Sequence, residues 1–423
     1  MISQEERLYL RSLAAEQKAI AETEQNENLA IRWKKHNELE PGKPLIVIEI
    51  ETFWNEVCPK LRCTDPDAKM IEERLLMPIV SHRLIGDDRV IPNFYAVPLK
   101  VESNFFGLTL EKETPADAQG IAYRYKPVIT DIQRDLEKIQ PSKYSHHLTE
   151  AKRQADLAED IFGDLLPVVI ENRSLLWYTG LTQIVVEMMG MENYFLAMYD
   201  FPEELHQLMR FITDDVLRFI RWQESEGVLT PNWGCQYAGS SNFGFTDQLP
   251  RHSLHNVNLR NGPTDICLSD LWLNTNSQET VGISRDMFEE FALPYYKEIC
   301  SQAGLVYYGC CEPVHNLFSN GLDMLPNLRK LSISPWCDED SISQQLQNKN
   351  IVYSRKPSPN YLGTTYELNE ENFRNHILNT LRAAKGLNIE FIFRDIYTLK
   401  GNPTKLNQAI KVMRNCIDRQ QDY

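Results

Sequence analysis

GLVYYGCCEPVH, residues 304 to 315, is the stretch from which the fold can be read. Five residues that suit a buried strand, Leu305 to Gly309, run into two adjacent thiols, Cys310 and Cys311. An acid follows, Glu312, and then a proline able to open a helix. Barrels and open α/β sheets carry their active sites at the carboxyl ends of strands, so position and chemistry agree here. The plainer reading is a pair of structural cysteines packed as small hydrophobes. The acid beside them argues for a reactive pair.

Outward from this stretch, strand and helix patterns alternate about every 30 residues, as in βα units with parallel strands. Candidate strands begin at Leu45, Val90, Leu165, Leu229, Asp265, Leu305, Leu331, Ile351 and Ile389. A closed eight-stranded barrel needs one fewer, and the Leu229 segment (LTPNWGC) is the one to demote, to an accessory hairpin. The expected fold is therefore α/β, a single (β/α)₈ TIM barrel over residues 41–423. Residues 1–40 are expected to form an outer helical layer. Residues 98–130, rich in glycine, proline and aromatics, read as a long connection or lid. YAGSSNFGF, from Tyr237, reads as a loop able to approach a ligand closely.

Composition narrows the function classes. A net charge of −15 repels phosphate backbones and anionic lipid surfaces, and no basic run exceeds RWKK at Arg32 to Lys35. Nucleic acid and membrane partners are not expected. Nine cysteines without scaffold spacing, and an amino terminus lacking an apolar signal core, point to a cytoplasmic chain with reduced thiols.

In a barrel the strand ends meet at one mouth. From the polar residues expected there, Glu312, Asp270, Tyr308 and Asp395 are candidate catalytic groups. Trp272, Glu279, Trp336, Arg355, Lys356 and Tyr397 are candidate substrate-binding groups. Arg355 would offer its planar fork to a carboxylate or phosphate. Strand alternation puts Tyr308 and Cys310 on one side, facing the mouth, and turns Cys311 toward the wall. Converging thiolates and carboxylates suit zinc, although neither C-x-x-C nor H-E-x-x-H occurs. His315 reads more readily as a helix-capping residue than as a ligand.

At these residues the chain resembles the uroporphyrinogen decarboxylase superfamily, in particular its branch of corrinoid-linked methyltransferase-like proteins. The resemblance rests on SDLW with the later QE (Ser269 to Trp272, Gln278, Glu279), YGCCEPVH, NLRKLSISPW from Asn327, SRKPSP from Ser354 and RDIYT from Arg394. It implies a methyltransferase that moves a methyl group between a small O- or N-methylated compound and a corrinoid (cobalamin-type) cofactor on a partner protein, with zinc as Lewis acid. The zinc enzymes of this superfamily end the corresponding strand in His-x-Cys; here Tyr308 stands in the histidine's place and Cys310 matches the cysteine. Two of the three family ligands are thus altered, so either the metal is absent or a different set such as Cys310, Cys311, Glu312 and Asp395 holds it, and a homodimer is compatible. Tetrapyrrole decarboxylation is the alternative activity, but IEIETFWN at Ile48 to Asn55 is acidic where the decarboxylase offers arginines. A barrel that binds a corrinoid or small molecule without turnover is the third reading.

Overall fold

The computed structural model describes residues 2–114, 123–176 and 178–420. Its apolar runs form two parallel sheets. β1 (Leu45–Ile48), β2 (Tyr95–Pro98), β3 (Val168–Glu171), β4 (Trp272–Thr275), β5 (Leu305–Tyr308), β6 (Leu328–Ile333), β7 (Val352–Arg355) and β8 (Ile389–Phe393) all run parallel to their partners. Six of them make the main sheet in the order β1-β8-β7-β6-β5-β4, and β2 pairs with β3 alone. β1, β4, β5, β7 and β8 are buried along their whole length, as strands covered on both faces should be.

Side chains take over at the two seams between these sheets. Beyond β1, Asp87 and Asp88 accept the Ile48 and Ile46 backbone N–H groups, each at 2.9 Å. Between β3 and β4 lies the Leu229 segment, which forms no strand. Thr230 accepts the Asn172 N–H at 2.8 Å, while the Asn232 amide pairs with both backbone groups of Trp272. Pro231 has no N–H to give a ladder, so side chains satisfy the edges instead. The segment therefore reads like a strand in sequence without becoming one.

The alternation of strand side chains divides the core. Ile46, Ile48, Phe391 and Phe393 join the large cluster packed against the helices, whereas Leu45, Val47 and Ile392 face inward onto Trp33 and Phe243. Trp33 arrives on the second of two amino-terminal helices, α1 (Gln4–Ala21) and α2 (Glu24–Asn37). α1 starts at a Ser3/Glu6 capping box and packs on α3 (Pro66–Leu84). The expected outer layer is thus more than a cover. From α2, the Trp33 indole donates to the Asp88 carbonyl at 2.7 Å, and His36 reaches Glu390 at 3.2 Å.

The 98–130 connection carries one antiparallel ribbon, Lys112–Glu113 with Arg124–Tyr125, and a strand, Val101–Ser103, that pairs antiparallel with Tyr144–His146 beyond it. Its stretch 115–122 lies outside the described residues. No helix among the described residues is long and apolar enough to cross a membrane.

Candidate active site

β5 ends as its sequence requires. Gly309 takes φ +103°, and a Cβ there would meet that of Ser332 at 2.9 Å, so only glycine turns the chain at this point. The turn releases the two thiols from strand geometry. Glu312 folds back beneath them, buried, accepting the backbone N–H groups of Cys310 at 2.7 Å and Ser277 at 3.0 Å. Burial, then the charge of Cys310, pushes its carboxyl up to about 7.

The Cys310 carbonyl oxygen accepts from the Ser332 hydroxyl at 2.9 Å and the Lys356 ammonium at 3.1 Å. Its Sγ lies 3.6 Å from that of Cys311. Hydrogen bonding from Cys311, followed by the charges of Lys356 and Arg394, outweighs burial and Asp395 and lowers the Cys310 thiol to about 5. Cys310 is thus the more acidic thiol of the pair, and its neighbour is raised by the same hydrogen bond.

β8 delivers the opposite rim. Asp395 adopts a left-handed φ of +60°, which Asp tolerates better than most residues, and its charge reaches both cysteines. The Arg394 guanidinium donates to Glu49 at 3.3 Å, and Ser241 donates to the same carboxylate at 2.8 Å. Glu279, raised by burial, accepts the Thr182 hydroxyl at 2.9 Å and lies within electrostatic reach of Cys310. Trp336 and Tyr397 stand exposed at the rim, 72% and 55%.

Cys310, Glu312, Glu279, Lys356 and Asp395 thus share one region, but five expectations need correction. Asp270 and Trp272 lie at the amino end of β4, since that strand begins at Trp272 rather than ending there. Asp270 accepts from the Arg251, His252 and Cys267 backbones and from the His252 ring, a role in holding a turn. Trp272 is buried, its indole donating to Gly244 at 2.8 Å. Arg355 points to the helix side, its two terminal nitrogens bound to the Ser334 carbonyl and, at 2.7 Å, to Glu339, which turns the guanidinium away from the mouth. Tyr308 also faces the helices, bonded to Ser277 and set edge-on to Tyr296, while Tyr307 faces inward against Gly239 and Lys356. Gly309 breaks the alternation that would have put Tyr308 and Cys310 on one side, and Cys311 emerges exposed. His315 accepts the Asp338 N–H at 3.3 Å, and Asp338 in turn caps the helix Glu339–Leu346.

A zinc ion does not fit the proposed ligand set as folded. Cys310, Cys311, Glu312 and Asp395 bring no three ligand atoms within 4.8 Å of one another, and both Glu312 oxygens are occupied by backbone donors. Among the described residues the group that meets this spacing is His252, Cys267 and Asp270, at the other end of the strands. There the carboxylate is already saturated by four hydrogen bonds.

Sequence reasoning missed the Glu49–Arg394 pair and a neighbouring network in which Arg89 donates to Tyr237 at 2.6 Å and Tyr237 to Glu51 at 2.9 Å. The only signal was an acid directly after β1. Glu51, Arg89 and Tyr237 line a cavity of about 430 Å³ along the seam between β1 and β2, walled by Met77, Phe94 and Tyr95. Cys310 does not line it.

No family model matches this sequence, and neither does any curated protein. Among solved structures the chain is similar to a methyltransferase from Methanosarcina mazei, with 12% identity, a TM-score of 0.49 and coverage of 93% of this chain and 99% of that one. That identity is too low to carry residue roles across.

Proposed function

We propose that the eight parallel strands close into a (β/α)₈ barrel of the uroporphyrinogen decarboxylase superfamily and that the chain is a methyltransferase whose reacting group is the Cys310 thiolate. The observation that carries this reading is the geometry at the carboxyl end of a central strand, where Cys310 lies 3.6 Å from Cys311 with its N–H on buried Glu312 and its carbonyl on the Lys356 ammonium, an arrangement that lowers the thiol and raises the carboxyl. The motifs from Ser269 to Thr398 supply the methyl-transfer class. The reaction takes a methyl group from a small O- or N-methylated compound: a carbon–sulfur bond forms at Cys310 as the carbon–heteroatom bond breaks. The electron pair leaves with the heteroatom, which takes a proton from solvent at the mouth. A corrinoid on a partner protein would exchange the methyl group, and the exposed rings of Trp336 and Tyr397 suit a large planar group at the rim. Lys356 and Arg394 hold the thiolate charge. Zinc has no part in this scheme.

The test supplies purified protein with methoxylated and N-methylated compounds and reduced free cobalamin. Methylcobalamin should form, with methylated Cys310 found by mass spectrometry, and Cys310→Ser should abolish both. Turnover that survives in Cys310→Ser would overturn the assignment.

A further inference from the structure

We propose that Cys310 and Cys311 form a metal-free redox pair, a vicinal dithiol that a low-molecular-weight disulfide such as oxidised glutathione converts into a disulfide between the two neighbours. The inference does not depend on methyl transfer. It starts from the misfit above: two sulfurs lie 3.6 Å apart, and Glu312 and Asp395 do not close a metal site around them.

The two thiols are unequally placed. Cys310 is half-buried and its backbone is pinned, the N–H to Glu312 and the carbonyl to Ser332 and Lys356. Cys311 is exposed. The parallel ladder stops at Tyr308, and the last sheet contact of this strand is the Gly309 N–H on the Thr275 carbonyl at 2.8 Å. Closing the disulfide therefore leaves the backbone ladder intact and is opposed by the Ser332 and Lys356 hydrogen bonds that hold the Cys310 carbonyl.

In the first step the Cys310 sulfur attacks one sulfur of the oxidant, whose S–S bond breaks, and one thiolate leaves with the electron pair and is protonated. In the second, Cys311 gives up its proton and attacks the Cys310 sulfur, expelling the other thiol. Two electrons pass from the pair to the oxidant; Cys311 gives one proton and solvent the other, because Cys310 reacts as the thiolate, and the products are two free thiols and one protein disulfide. Adjacent Cα atoms stand about 3.8 Å apart, short of the roughly 4.4–6.8 Å that disulfides span, so the closed ring is strained. Strained disulfides are the readily reduced ones, which suits a bond that cycles and not a permanent brace. Oxidation removes the thiolate, and reduction restores it.

The experiment incubates the full-length protein with oxidised glutathione, blocks remaining thiols with iodoacetamide and maps the peptide bearing Cys310 and Cys311. The expected result is loss of two hydrogens from that peptide, with neither thiol alkylated, fully reversed by dithiothreitol. Cys311→Ser should stop at a stable glutathione adduct on Cys310. A wild type that also stops at the adduct, or keeps both thiols alkylatable, overturns the proposal. So does a protein isolated with about one zinc per chain shielding them. Methyl transfer measured on the reduced form separates the two readings: a pair that cycles in a protein without turnover leaves this inference standing and removes the other.

Discussion

The Lys356 ammonium donates to the Cys310 carbonyl oxygen at 3.1 Å, which sets a buried cation beside a thiol lowered to about 5. Carboxamidomethylation of Cys310 should therefore change little between about pH 6 and pH 8, where an ordinary cysteine accelerates roughly tenfold per unit. Lys356→Met removes a charge that favours the thiolate, so the onset of reactivity should move upward. Peptide-resolved alkylation rates across pH check both statements.

Glu312 carries a pH signature of opposite sense. Its folded pKa, about 7, lies above the ordinary 4.5, so the folded state holds the proton more tightly. That contribution is fully present below about pH 4.5 and is lost as pH rises through about 7, a change of roughly 3 kcal/mol. Glu312→Gln has no such titration. Its unfolding free energy should fall less than the wild type's between pH 5 and pH 8 in denaturant titrations at the two pH values.

Inside the strands, Lys330 and Glu390 meet at 2.8 Å with neither side chain exposed, and His36 and Asn242 complete the carboxylate's shell. Lys330→Met leaves a buried carboxylate short of its cation and should cost about 3–5 kcal/mol. Lys330→Met combined with Glu390→Leu should cost clearly less than the single change. Equilibrium unfolding of the two variants decides it.

Arg355 holds the Ser334 carbonyl and Glu339 on the helix side of β7. Arg355→Met should lower stability by about 3 kcal/mol while leaving the KM of any substrate of the mouth unchanged. A rise in KM without loss of stability would return Arg355 to the binding site.

The run of strands from Leu305 to Phe393 was legible because buried parallel strands are continuous apolar runs whose period survives in any sequence window. Ile389–Phe393 came out with its bounds intact. The Leu229 segment, demoted from the eight strands on count alone, forms no strand for a local reason, since Pro231 removes a donor that apolar content does not reveal. The cluster Cys310, Cys311 and Glu312 was visible as residue types at a strand end.

What sequence could not supply was direction. Tyr307 and Tyr308, like Arg355 and Lys356, are neighbours of similar chemistry on opposite faces, and a one-residue difference in where a strand stops inverts which of them reaches the mouth. Gly309 at φ +103° made that choice for the thiols. Asp270 moved to the far end of its strand because β4 starts two residues after it. Chain chemistry thus determined the strands, their parallel sense and the placing of two thiols and an acid at one strand end. Tertiary structure alone decided which side chains converge, because convergence depends on partners such as Glu49, Ser241 and Arg394 drawn from three distant segments.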